Sequence, residues 1–94
     1  YASAKGAVVT MTMGVAREFV KENIRCVSIS PAAADTHFQD ISSNDLKKSM
    51  TNDIPIGRMA DPEEIAEVVL FLCSDACPYI TADTIRISGG GGFR

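Results

Sequence analysis

The sequence of 94 residues is poor in the features that mark several large protein classes. It contains no tryptophan and a single histidine, and Lys47-Lys48 is its only pair of adjacent basic residues. With a formal net charge of −3, the chain offers no strongly basic surface for nucleic acid or anionic lipid. No apolar run is long enough to cross a bilayer, and no targeting segment is visible. We therefore expect a globular protein with neither nucleic acid nor a membrane among its partners.

The three cysteines do not form a recognisable metal or redox motif. Cys26, Cys73 and Cys77 are odd in number and match neither a C-x-x-C motif nor the paired spacing of a zinc site. Free cysteines are among the most buried residue types, and the cytosol keeps thiols reduced. We expect reduced, mostly buried cysteines, no bound metal and a cytoplasmic location.

A glycine-rich phosphate loop is also missing. No G-x-G-x-x-G or G-x-x-x-G-x-G run occurs, although such a turn places dinucleotide phosphates at a helix N-terminus. The glycines from Gly89 to Gly92 do not replace it, because only Phe93 and Arg94 follow them in the sequence. We expect no complete dinucleotide phosphate site within these 94 residues.

What the chain does contain is a tyrosine and a lysine at helical spacing. Tyr1 and Lys5 are separated by three residues, so on a helix both side chains leave the same face, one turn apart. An ammonium close to a phenol favours the phenolate form, which exchanges a proton with an alcohol or a carbonyl. The spacing fits an acid/base couple, and it also fits an ordinary solvated surface pair.

Residues 3–22 have helical periodicity with two apolar stripes. The stripes are Ala4, Val8, Met11, Val15 and Phe19, and Val9, Met13, Ala16 and Val20. Two stripes predict a helix buried on two sides, either against its own sheet and a second subunit or at the centre of a larger domain. Asn23 fits the C-cap of this helix.

The next segment predicts a strand and a loop. Residues 24–30 place apolar side chains on both faces, which suits a covered parallel strand, with Arg25 reaching solvent along its stem. Pro31 ends the strand, and residues 31–36 form a loop at its carboxyl end, where open α/β sheets bind ligands. Residues 37–51 are weakly amphipathic and predict a second helix.

The last third predicts a helix and a closing strand. Asp61-Pro62-Glu63-Glu64 combines an N-cap, a first-turn proline and a capping box, so its carboxylates are structural. The core face of this helix is expected from Ile65, Val68, Val69, Leu72 and Cys73. Residues 84–88 form the last strand, parallel to the first. The fold class is α/β, in the order helix, strand, helix, helix, strand.

These elements resemble the C-terminal part of the short-chain dehydrogenase/reductase family along almost the whole chain. The resemblance rests on a Tyr-x-x-x-Lys helix leading into a strand that ends in proline, with a threonine a few residues on. The further motifs are Ile54-Pro55-Ile56-Gly57-Arg58-Met59, Asp61-Pro62-Glu63-Glu64-Ile65-Ala66, Phe71-Leu72-Cys73-Ser74-Asp75, Tyr79-Ile80-Thr81 and Ile87-Ser88-Gly89-Gly90. The resemblance implies a partial Rossmann-like fold, the C-terminal portion of a doubly wound parallel sheet, with residues 1–94 forming a single incomplete domain.

The resemblance also implies an NAD- or NADP-dependent conversion between an alcohol and a carbonyl. Tyr1 would exchange a proton with the substrate oxygen, and Lys5 would favour its phenolate form and hydrogen-bond the nicotinamide ribose. Pro31, Ala34 through its backbone, and Thr36 would line the nicotinamide carboxamide. These residues form the predicted catalytic and cofactor-binding set.

Two interpretations remain open at the level of the whole chain. In the first, it is the C-terminal part of an oxidoreductase acting on a small-molecule alcohol or carbonyl, inactive as 94 residues alone. Residues 37–51 would then form a lid over the substrate, and the helix over residues 3–22 would join a homo-oligomer. In the second, it is a non-catalytic remnant that self-associates through its helix stripes and an open strand edge.

Three positions depart from the family pattern. Ala32 and Ala82 stand where glycine is common, and Ser88 stands where aspartate is common before the glycine pair. An added methyl group matters wherever the backbone needs a positive φ or a close approach.

Overall fold

The computed structural model describes residues 1–32, 34, 48–49 and 51–92. Its main elements are helix α1 (Ala2–Phe19) with a 3-10 turn (Val20–Glu22), strand β1 (Ser28–Pro31), helix α2 (Pro62–Cys73) and strand β2 (Thr84–Ile87). The two strands pair in parallel in a two-stranded sheet. The helix predicted over residues 37–51 lies largely outside the described residues.

The chain divides into two compact units. The first comprises Tyr1–Ile29 and Val69–Ile85, and the second comprises the described residues of 30–68 and 86–94. The division falls within β1, α2 and β2, and each unit is described by itself below.

In the first unit, the end of the N-terminal helix is closed by an asparagine. Asn23 has a φ of 60° and a ψ of 34°, the left-handed conformation that asparagine tolerates well. Its N–H donates to the carbonyl of Val20 (3.1 Å), and the N–H of Ile24 donates to the carbonyl of Phe19 (3.3 Å). These two hydrogen bonds form a Schellman motif, which confirms Asn23 as the C-cap.

The first strand begins later than predicted. The sequence predicts a strand from residue 24, whereas β1 starts at Ser28. The reason lies at Cys26, whose N–H donates to the hydroxyl of Thr81 (3.1 Å) while its carbonyl accepts from the N–H of Ala82 (2.9 Å). The regular ladder begins only where the N–H of Ser28 donates to the carbonyl of Asp83 (3.0 Å). A side chain 55 positions away thus replaces a backbone partner at Cys26.

Arg25 is half-buried and does not simply extend to solvent as predicted. Its guanidinium donates to the carbonyls of Leu72 (2.7 Å), Ser74 (3.0 Å) and Ile80 (3.2 Å). The last carbonyls of a helix have no partner within that helix. Arg25 therefore caps the C-terminal end of α2 with a side chain from a distant part of the sequence.

Much of the apolar surface of α1 is exposed in this chain. Thr12 and Ala16 are the buried residues of the helix, and the hydroxyl of Thr12 donates to the carbonyl of Val8 at 2.8 Å. Exposed members of the two stripes are Val8, Val9, Met11, Met13, Phe19 and Val20, with Met11 61% exposed. Both predicted stripes therefore lie mainly on the surface.

The core face of α2 is narrower than predicted. Leu72 is buried, and Ile65 and Val68 are half-buried, but Val69 and Cys73 are exposed. All three cysteines are free; Cys77 is buried and Cys26 half-buried, so the expectation of mostly buried thiols is wrong for Cys73. No helix among the described residues is long and apolar enough to span a membrane.

In the second unit, Pro31 lies within the first strand as its last residue. The N–H of Ala32, the next residue, donates to the carbonyl of Ile87 (2.9 Å). Because donors alternate along a parallel strand, the nitrogen of Pro31 points away from β2 and its missing N–H breaks no ladder bond. The proline is thus tolerated inside the strand, not just beyond it.

Candidate active site

Tyr1 and Lys5 lie together on the first turn of α1. The N–H of Lys5 donates to the carbonyl of Tyr1 at 3.0 Å, which sets the two residues one helical turn apart. The Lys5 Nζ lies over the Tyr1 ring, 5.6 Å from the ring centroid, within the range of a cation–π contact. Tyr1 itself is 97% exposed. The structure therefore brings the predicted acid/base pair together on the first turn of α1, with the tyrosine exposed.

The residues around the pair favour a helix. Ala2, Ala4 and Ala7 are strong helix formers, and Gly6 has no heavy atom near the position of an added Cβ. Tyr1 occupies the N-cap position without a side-chain cap bond, and no acidic residue stands in the first turn. The first turn of α1 therefore contains no carboxylate that would pair with the Lys5 ammonium.

In the second unit, Pro31 is exposed at the carboxyl end of β1 and lines a cleft of about 290 Å³. The other lining residues are Ser30, Ala32, Arg86, Ser88, Gly91 and Gly92. The carboxyl ends of parallel strands are where open α/β sheets bind ligands. The surroundings of Pro31 therefore fit its predicted role in ligand binding.

The backbone at Ala34 is held by a second segment of the same unit. Ala34 forms an isolated parallel β-bridge with Ala60, and both residues are half-buried. Ala60 directly precedes the N-cap of α2. Thr36, the third predicted contact to the nicotinamide, lies outside the described residues.

An ion pair that is not predicted from the sequence lies at the start of α2. Arg58 donates from both terminal nitrogens to the two carboxylate oxygens of Glu64, each at 2.7 Å. Glu64 also accepts the N–H of Asp61 at 2.9 Å, which is the predicted return bond of the capping box. The hydrogen bonds from Arg58, with the larger effect, and from the N–H of Asp61 lower the pKa of Glu64 from 4.5 to about 2. The hydrogen bond to Glu64 also raises the pKa of Arg58. The sequence signal for it is an arginine three residues before a capping-box aspartate.

The glycines after β2 serve close backbone packing. Gly89 has a φ of 58°, and a Cβ added there would lie 2.7 Å from the Cγ2 of Ile56. The N–H of Ile56 donates to the carbonyl of Gly89 at 3.0 Å. Any larger residue would collide with this segment while also adopting an unfavourable φ. The glycine is required here by contact, in a place where the chain shows no phosphate loop.

The family departures have unequal structural consequences. Ala32 is absent from the positive-φ residues of the described chain, so its methyl group causes no backbone strain. Ala82 has a φ of 60°, the left-handed region that disfavours alanine. Ser88 accepts the N–H of Gly91 through its backbone carbonyl, a bond that does not depend on the identity of its side chain.

Residues 1–91 match the family model described as enoyl-(acyl carrier protein) reductase, so the chain belongs to this family of short-chain dehydrogenases/reductases. The family match covers both the Tyr1–Lys5 pair and the segments after each strand. The fold class predicted from the sequence, a partial α/β Rossmann-like fold, is confirmed by the solved structures that resemble the chain.

Three individual proteins show how similar the chain is to its relatives and how much of them it covers. The chain is 40% identical over 90 residues to the (3R)-3-hydroxyacyl-CoA dehydrogenase of Mus musculus, covering 96% of this chain and 35% of that protein. A 3-oxoacyl-[acyl-carrier protein] reductase from Brucella melitensis ATCC 23457 matches all of this chain with a TM-score of 0.94 and 26% identity, over 35% of its own length. A 3-ketoacyl-(acyl-carrier-protein) reductase from Brucella melitensis, complexed with NADH, matches 96% of this chain at 33% identity with a TM-score of 0.85, over 36% of its length. The chain thus spans about a third of these relatives.

Proposed function

We propose that this chain is the C-terminal portion of an oxidoreductase that uses NAD or NADP to interconvert an alcohol and a carbonyl. The observation that carries the proposal is the Tyr1–Lys5 pair, one helical turn apart with the ammonium over the ring. A similar protein solved as a complex with NADH supports the class of cofactor. Because the chain covers about a third of its relatives, we expect the 94 residues alone to be inactive.

The proposed roles follow from the chemistry of each side chain. Tyr1 exchanges a proton with the substrate oxygen, and Lys5 hydrogen-bonds the nicotinamide ribose. Pro31, Thr36 and the backbone of Ala34 contact the nicotinamide carboxamide. The bound dinucleotide supplies or accepts the hydride.

The residues present fit the nicotinamide end of such a cofactor and not its phosphates. A cleft of about 290 Å³ lies beside Pro31 at the strand ends. Its lining includes the hydroxyl-bearing residues Ser30 and Ser88, which suit a flat, polar ring system. The sequence has no glycine turn leading into a helix that would hold the pyrophosphate. We therefore assign only the nicotinamide contacts to this chain.

The substrate class follows from the relatives. One is named for a 3-hydroxyacyl-CoA and two for a 3-oxoacyl or 3-ketoacyl group on acyl carrier protein. These compounds share an acyl thioester with oxygen at carbon 3. We propose a 3-oxoacyl or 3-hydroxyacyl thioester as the substrate, with Tyr1 acting at the carbon 3 oxygen.

Exposed apolar surface favours association of the chain with copies of itself through α1. Met11 is 61% exposed, and Val8 and Val20 are close to half exposed. Covering such an apolar face lowers the free energy of the protein in water. The same observation supports the alternative of a non-catalytic, self-associating remnant, and catalysis separates the two.

The test is a chimera in which this chain replaces the aligned third of the mouse dehydrogenase. We expect the 94 residues alone to give no reduction of acetoacetyl-CoA with NADH or NADPH, and we expect the chimera to give measurable turnover. A folded chimera that binds NADH but reduces no substrate would contradict the oxidoreductase and favour the remnant.

A further inference from the structure

The backbone after β1 has an anchor in the same unit. Ala34 forms a parallel bridge with Ala60, and Ala60 stands between two residues whose backbone groups are bonded to side chains. Met59 precedes it and Asp61 follows it. The position of Ala34 therefore depends on how firmly the segment from Met59 to Asp61 is held.

Two charged side chains hold that segment from both ends. The Arg58 guanidinium donates to the carbonyl of Met59 (3.3 Å) and to both carboxylate oxygens of Glu64 (2.7 Å each). Glu64 in turn accepts the N–H of Asp61 (2.9 Å), and the N–H of Glu64 donates to the carbonyl of Asp61 (3.0 Å). The Arg58–Glu64 pair thus fixes the residue on each side of Ala60.

The geometry distinguishes this pair from an ordinary surface ion pair. A bidentate fork fixes orientation as well as distance, and the same carboxylate is also held by a backbone N–H. Both side chains are about half exposed, so burial does not hold them in place. Isolated exposed ion pairs contribute little to overall stability. We therefore expect the main effect of this pair to be on the backbone that it contacts.

We propose that Arg58 and Glu64 are positioning residues for the backbone at Ala34. This inference rests on the proposed function for its consequence, since Ala34 is the residue proposed to contact the nicotinamide. The pair acts through Ala60 and touches neither substrate nor cofactor. Its removal loosens the bridge and weakens cofactor binding while leaving the proton exchange at Tyr1 intact.

The first experiment measures backbone amide hydrogen exchange by nuclear magnetic resonance in the 94-residue chain, at the amide that donates across the Ala34–Ala60 bridge, since a parallel bridge uses the N–H of only one of its two residues. We expect Arg58→Gln and Glu64→Gln to speed exchange at this bridge about threefold to fivefold, the range that well-ordered exposed pairs reach. Arg58→Lys keeps the charge but loses the fork, and should recover part of the protection. Glu63→Gln is the matched control, because it removes a neighbouring carboxylate from the same helical turn and should leave the bridge unchanged.

The outcomes separate the inference from the proposed function. Absence of protection at the wild-type bridge, or equal effects of Glu63→Gln and Glu64→Gln, would overturn the positioning role whatever the chain catalyses. In the chimera, Arg58→Gln should raise KM for NADH severalfold with kcat within about twofold, and a loss of kcat alone would also overturn it. A wild-type chimera without activity would contradict the proposed function, while the exchange data still decide whether the pair holds Ala34.

Discussion

The two helices of this chain differ in the contacts that support them. At the start of α2, Arg58, Asp61 and Glu64 satisfy one another's polar groups within seven residues of sequence. In α1, by contrast, most of the apolar side chains are exposed. The difference separates a region whose structure follows from local chemistry from a region that needs contacts the described residues do not supply.

The same contrast applies to the energetics of the chain. Within the described residues, the buried side chains are Thr12, Ala16, Leu72 and Cys77, none of them large and fully enclosed. Domains are only marginally stable even with a full core. Hydrogen bonds, caps and backbone conformation therefore decide the outcome of most substitutions in the isolated chain, which makes the following changes informative.

The largest expected effect is at the other end of α2. Arg25→Ala removes the guanidinium donors to the partly buried carbonyls of Leu72, Ser74 and Ile80. The Leu72 carbonyl then keeps the weak bond from the Cys77 thiol, at 3.7 Å. We expect a loss of about 3 kcal/mol in the free energy of unfolding by urea titration. Arg17→Ala, on exposed α1, should stay within about 0.5 kcal/mol. Equal losses in the two variants would show that the C-terminal cap contributes nothing specific.

The next effect is at the turn after β2. Gly89→Ala forces alanine to a φ of 58° and places its methyl carbon 2.7 Å from the Ile56 side chain. We expect a loss of about 2 kcal/mol. In Gly14→Ala, the added methyl group meets nothing within 4 Å inside α1, and we expect a gain of up to about 1 kcal/mol. Both are read from the same urea titration, and a neutral Gly89→Ala would contradict the assigned packing.

A smaller, stabilising effect is expected at Ala82. Alanine at a φ of 60° costs about 1–2 kcal/mol, and glycine relieves that cost at an entropic penalty of about 0.5–1 kcal/mol. Ala82→Gly should therefore raise the thermal midpoint by the equivalent of about 1 kcal/mol or less. Ala66→Gly, within α2, should lower it by about 1 kcal/mol. A lower midpoint in Ala82→Gly would show that the left-handed position is unstrained.

The smallest effect is the pH dependence of the N-cap of α2. The pKa of Glu64 is lowered from 4.5 to about 2 by its bonds to Arg58 and Asp61, so its contribution is complete above pH 4.5. That contribution is lost as the pH falls through 4.5 toward 2, because the unfolded state then binds the proton first. Glu64→Gln should flatten this part of the stability profile, measured by thermal unfolding between pH 2 and pH 6. A profile in the variant that runs parallel to the wild type would contradict the assignment.

Sequence reasoning succeeds in this chain where the determining contacts are local. The helix from Pro62 to Cys73 is predicted because its N-cap, proline and capping glutamate lie within four residues of sequence. The Asn23 cap is predictable for the same reason. The family resemblance, confirmed by the comparisons, adds the hypothesis of cofactor contacts at Pro31, Ala34 and Thr36, which neither periodicity nor spacing provides.

It fails where a distant or geometric partner decides. Residues 24–27 have strand composition, but Thr81, 55 positions away, takes the N–H of Cys26. Arg25 is a long side chain that is able to extend to solvent, but its contact with the C-terminal end of α2 depends on how the chain folds back. The pairing of Arg58 with Glu64 cannot be predicted until the conformation of the turn between them is known. The role of Thr36 stays a prediction, since it lies outside the described residues.

The most direct measurement of the central claim is kcat in the chimera for Tyr1→Phe and for Tyr79→Phe. Both changes remove one phenolic hydroxyl from an almost fully exposed ring, 97% for Tyr1 and 99% for Tyr79. A positioned proton donor contributes about 10²–10⁴-fold to rate, so Tyr1→Phe should lose at least about 100-fold while Tyr79→Phe stays within about twofold. Equal turnover in the two variants would contradict the assignment of Tyr1 as the residue that exchanges the proton.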